Sequence, residues 1–153
     1  MNEYFECVVK FEKTMENGMV KKVSEPYIVD ALSFTEAEKR FLEYIEPYMS
    51  GEYEVKAVKR ANYSEIVSAT DEDADKWFKA KVAFITLDEK TGIEKKSCQN
   101  MLVQASDLRD AVKRLDKHME GTLADYEISA VAETAIMDVY FYKENEEPEF
   151  KEE

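Results

Sequence analysis

Lys56, Lys59, Arg60 and Tyr63 lie close together in YEVKAVKRANYSEI (residues 53–66), and Trp77, Lys79 and Lys81 follow in WFKAK. On a strand, alternate side chains share a face. That spacing therefore puts Lys56 and Arg60 on one face with Tyr63 just beyond, and Trp77, Lys79 and Lys81 on one face of a second strand. Cations beside exposed rings suit a single-stranded nucleic acid, whose bases stack on the rings while its phosphates follow the cations. These seven residues form the candidate nucleic-acid interface. The plainer reading of the same lysines is a solvated strand face.

Other chemistries find fewer residues. Glu65 and Asp138 occupy equivalent places in two halves of the chain, and paired carboxylates do acid–base work or hold a metal. Exposed carboxylates at strand starts fit them equally well. The lone histidine, His118, sits where the first half has Tyr44, which reads as a helix flank rather than a catalytic base. Cys7 and Cys98 stand far apart and outside any C-x-x-C pattern, as free thiols in a reducing compartment do. The four glycines fit turns and helix ends, so none is left for a phosphate-cradling loop. No G-x-S-x-G elbow occurs. The expectation is a protein that is not an enzyme and has no cofactor and no metal.

The elements that must position these residues come from a duplication. Tyr4-Phe5, Val9 and Phe11 match Trp77-Phe78, Val82 and Phe84 at a spacing of 73 residues. Tyr27-Ile28-Val29 matches Met101-Leu102-Val103 at 74, and YEVKAVKRANYSEI matches YEISAVAETAIMDV at 73. Each copy alternates apolar and polar residues, turns at Asn17-Gly18 or Thr91-Gly92, alternates again, and then carries an apolar helical stripe. Ser33 with Glu36 forms a capping-box pattern, and Asp107 opens the second helix. Two short strands close each copy. The predicted fold is α+β: a tandem β-β-α-β-β unit, antiparallel sheet with one helix per unit, the copies related by a pseudo-twofold axis. Residues 1–70 form the first repeat, 71–75 an acidic linker, 76–142 the second repeat and 143–153 a disordered acidic tail. The predicted core is Phe5, Val9, Phe11, Phe41, Ile45, Phe78, Val82, Phe84, Leu115 and Met119.

The formal charge of −13 is unevenly spread, because DEDAD (71–75) and KENEEPEFKEE (143–153) carry −4 each. The rest of the chain, 1–70 and 76–142, is only mildly acidic. No apolar run reaches the roughly 18–20 residues of a membrane helix, and MNEYFECVVK lacks the basic start of a secretory signal. A cytoplasmic protein is expected, with no membrane partner.

The runs MNEYFECVVKFEKTMENGMVKKVSEPYIVDALSFTEAEKR, GEYEVKAVKRANYSEI, FITLDEKTGIEKK, LVQASDLRDAVKRL and GTLADYEISAVAETAIMDV resemble an uncharacterised family. Its members are small proteins of Bacteroides-type bacteria and their phages, catalogued as a domain of unknown function. The resemblance implies a bacterial or phage setting and no activity.

Function then rests on the asymmetry between copies: Lys56, Lys59 and Arg60 have as their counterparts Ser129, Ala132 and Glu133 in the second copy. The expectation is a non-enzymatic single-stranded nucleic-acid-binding protein. Its acidic tail, with Phe150 as a partner contact, resembles in composition the tails of single-stranded-DNA-binding proteins. The alternative is an acidic protein-binding module, or an inhibitor that imitates DNA, acting on a host protein.

Overall fold

A computed structural model describes residues 3–142. Among the described residues the chain forms β1 (Glu3–Thr14), β2 (Val20–Ala31), α1 (Phe34–Ile45), β3 (Tyr53–Ala61), β4 (Glu65–Val67), β5 (Lys76–Leu87), β6 (Glu94–Ala105), α2 (Leu108–Glu120), β7 (Asp125–Glu133) and β8 (Val139–Tyr140). This is an α+β protein built from a duplicated unit, with two four-stranded sheets and one helix against each.

Local chemistry accounts for the elements. Gly18 turns the first hairpin at φ +84° and Gly92 the second at +72°, a region that side chains with a Cβ rarely enter. The Ser33 hydroxyl accepts from Glu36 N at 3.1 Å, and the Asp107 carboxylate accepts from Asp110 N at 2.8 Å. Each cap satisfies a helix N–H that has no intrahelical partner. Pro47 lies in a 3-10 turn, Glu46–Tyr48, that ends α1.

The sheets differ from the expected antiparallel pattern in their fourth strand. Their orders are β3-β1-β2-β8 and β4-β6-β5-β7. β1 pairs antiparallel with β2 and β3, and β5 with β6 and β7. The short strands are exchanged: β8 pairs in parallel with β2, and β4 in parallel with β6. Each repeat thus ends in a strand that completes the other repeat's sheet. The compact units accordingly follow pairing rather than repeat boundaries: residues 3–61 with 138–142 make one, residues 62–137 the other.

In the first unit, Phe5, Cys7, Val9, Val29 and Ala31 face Ala37, Phe41 and Ile45 of α1. In the second, Phe78, Ala80, Val82, Met101, Val103 and Ala105 face Ala111, Leu115 and Met119 of α2. Eight of the ten predicted core residues are buried. Phe11 and Phe84 are half-buried, because β1 and β5 run on past the helix into the hairpin arms.

Candidate nucleic-acid interface

The seven predicted residues divide between the units: Lys56, Lys59 and Arg60 belong to the first, and Tyr63, Trp77, Lys79 and Lys81 to the second. On β3 the strict alternation fails. The register of β3 against β1 slips between Val8 and Val9, which pair with Ala57 and Val55, so Lys56 is the extra residue of a β-bulge. Beyond the bulge the phase reverses. Val58 packs on the helix-side core, and Arg60 stands opposite Phe5 on that same side.

Arg60 is therefore not a free cation beside Lys56. Its guanidinium lies 5.5 Å from the Phe5 ring centre and 5.2 Å from that of Phe34, and it is ion-paired with Glu3. Lys59 points the other way, opposite Glu6. β7 carries the same bulge at Ser129, the counterpart of Lys56. β3 and β7 are outer strands of their sheets.

On β5, Lys79 and Lys81 are exposed as expected, but Trp77 is only 3% exposed. Its ring is withdrawn from the stacking role. The reason lies in its cross-strand partner, Gln104, which shares its face. Gln104 Oε1 accepts from Ala69 N at 2.8 Å, and its Nε2 donates to the Ala74 carbonyl at 3.1 Å. The segment before β5 is thereby drawn over this corner of the sheet, with Ala74 buried. Thr134 adds two 2.9 Å bonds from its N–H and hydroxyl to the Trp77 carbonyl. Tyr63 is half-buried beside Ser64, whose N–H donates to Asn100 O at 2.8 Å. Phe150 and the tail lie outside the described residues.

The acidic stretch 71–75 is more than a spacer. Arg114 grips Asp71 with two bonds of 2.9 and 2.8 Å and holds Asp110 at 2.7 Å. Hydrogen bonding by Arg114 keeps the Asp71 carboxyl below the usual carboxylate range, and the Ser106 N–H, then Arg114, does the same for Asp110. Arg40, the counterpart of Arg114, bonds Glu36 at 2.8 Å and the Asp30 carbonyl at 2.7 Å, and lies 3.5 Å from the ring centre of Tyr142. In each unit one arginine thus holds the chain that leaves the exchanged strand. Sequence spacing gives no signal for the Gln104 and Asp71 contacts.

The carboxylate pair is also divided. Glu65 Oε1 lies 3.2 Å from His118 Nε2 on α2. Asp138, in the other unit, accepts from Val139 N at 2.8 Å and caps the start of β8. Both stand at strand starts, Glu65 beside His118 of α2 and Asp138 bonded to its own neighbour. Among the described residues no group of three or more His, Cys, Asp or Glu is arranged to hold a metal ion, and no helix is long and apolar enough to cross a membrane.

The exposed acids of β7, Asp125, Glu127 and Glu133, contrast with the bases of β3. Glu127 has one cation nearby, Lys96 Nζ at 3.2 Å, in an exposed pair. No curated protein matches the chain. A family model described as a domain of unknown function, DUF4494, matches residues 3–142, which take in both helices and all eight strands, and the chain belongs to that family.

Proposed function

We propose that the protein is a non-enzymatic binding module of a bacterial or phage cytoplasm, and that its ligand is another protein. The observation that carries this reading is the burial of Trp77. A single-strand platform needs open rings and open cations side by side. Here the indole is covered, and the guanidinium lies beside two rings on the helix side rather than next to Lys56. What the surface offers instead is two outer strands of opposite charge and an acidic segment tied down at Asp71. Ordered carboxylates and strand edges are features that a protein partner reads.

Nucleic-acid binding is the second reading, favoured by the exposed ammonium groups of Lys56, Lys59, Lys79 and Lys81. Fluorescence anisotropy of labelled oligo(dT) separates the two. The full chain and a chain ending at Tyr142 should both leave the anisotropy unchanged at low salt. Binding by the shorter chain, falling with salt at a log–log slope of about −0.7 per contact and lost in Lys79→Glu/Lys81→Glu, would establish the nucleic-acid reading instead.

A further inference from the structure

We propose that the protein binds a second copy of itself, the β3 edge of one molecule pairing antiparallel with the β7 edge of the next. The inference rests on the protein-binding reading and names the partner. β3 and β7 are equivalent nine-residue strands, and among the described residues each is paired on one side only. Such an edge presents a row of backbone donors and acceptors to any compatible strand.

The two edges are guarded with opposite signs. β3 carries Lys56, Lys59 and Arg60 against the single acid Glu54, while β7 carries Asp125, Glu127 and Glu133 and no base. Pairing β3 with β3, or β7 with β7, brings like charges together, and only β3 with β7 is attractive. Two ion pairs oppose this and stay small, because they are solvent-exposed: Glu3 with Arg60 and Lys96 with Glu127; half-buried Glu6 is the register partner of Lys59.

Geometry selects a register. Val55 and Val58 pack on the helix-side core of the first unit, and Ile128 and Val131 on that of the second. Setting Val58 opposite Ile128 puts Val55 opposite Val131, so apolar residues meet apolar residues on the helix side. The same register sets Lys59 opposite Glu127 on the other face and the bulge at Lys56 beside the bulge at Ser129. Both interruptions of the ladder then fall at one place, leaving regular strand on either side. A contact between two different edges is heterologous, so each molecule keeps one free β3 and one free β7, and association continues head to tail or closes a ring.

Sedimentation velocity of the full chain over a concentration series tests this, with circular dichroism melts confirming that every variant folds. The wild-type weight-average mass should rise with concentration, and the rise should shrink in high salt. Lys59→Glu alone and Glu127→Lys alone should each weaken association by about tenfold or more, since each sets like charges face to face. An equimolar mixture of these two variants should associate again, because each supplies the edge the other has lost. A wild-type chain that stays monomeric throughout, variants that associate like wild type, or a mixture that stays apart would overturn the proposal. Absence of self-association together with silence towards oligo(dT) would remove this partner and leave the protein-binding reading standing. Absence of self-association with oligo(dT) binding would remove both.

Discussion

Cys7 and Cys98 show how placement alone separates two chemically identical side chains. Burial, reinforced by the nearby Glu38 and Glu6 carboxylates, pushes the Cys7 thiol up to about 12, while Cys98 is exposed on β6. A maleimide should therefore label one thiol in the native protein, Cys98, and a second only in denaturant; mass spectrometry of the intact chain counts the adducts. Burial and the adjacent Glu25 raise Tyr27 to about 12 as well. Groups whose folded pKa is raised hold their full stabilising effect below their unfolded values and lose it as pH climbs through the folded ones. Chemical denaturation should thus give a stability that declines from about pH 8, where an unfolded thiol of pKa about 8.5 begins to ionise, towards pH 12. At this scale the sequence was a partial guide. It marked β3 and β5 correctly, but one extra residue at Lys56 reverses the alternation, and no count of apolar positions reveals a bulge made by a lysine. The burial of Trp77 was not legible, because its cover comes from Gln104 and the 69–74 segment, a contact made only in three dimensions.

The helices and long strands were the legible elements, since a period of two and a helical stripe with a cap are local signals. Leu115 and Phe41 occupy the centre of those stripes and are fully buried. Truncating either to Ala should lower unfolding free energy by roughly 2–5 kcal/mol, measured by urea titration, and a loss below about 0.5 kcal/mol at both would mean the helix faces were misassigned. The short strands were legible in position but not in partner, because two or three ladder residues cannot specify which sheet they join. Side chains settle that. Tyr140 stacks 4.4 Å from Tyr44 and 5.7 Å from Tyr27, and Arg114 grips Asp71 behind β4. Asp71 and Asp110 have lowered pKa values, so their contribution is present above the unfolded carboxylate value of about 3.9 and is lost as pH falls through the lower folded values. Hydrogen exchange should show residues 68–75 opening below about pH 4, and Arg114→Gln should open them at neutral pH. Unchanged protection in Arg114→Gln would show that Gln104 alone suffices.

For the whole molecule, the exchange of β4 and β8 decides what counts as a complete body. The second unit is one uninterrupted stretch, residues 62–137, whereas the first is assembled from residues 3–61 and 138–142. A chain ending at Met137 should keep amide protection in β5, β6, β7 and α2 and lose it in β2 and α1, as read by hydrogen exchange with mass spectrometry. Replacing Tyr140 by Ala should cost roughly 2–3 kcal/mol through lost stacking and burial. The duplication was plain from spacing at 73 and 74 residues, yet the exchange was not, because a duplicated sequence reads the same whether each copy keeps its last strand or gives it away. The exchange also orders events at the ribosome. The start of the protein emerges first but must wait for residues 138–142 to be made, and at about 5–20 residues per second that wait lasts about 4–15 seconds. The middle of the chain is what is made during that wait, and it is complete only as the wait ends. A chain cut short after residue 137 therefore holds every strand of the second unit but leaves the flank of β2 uncovered.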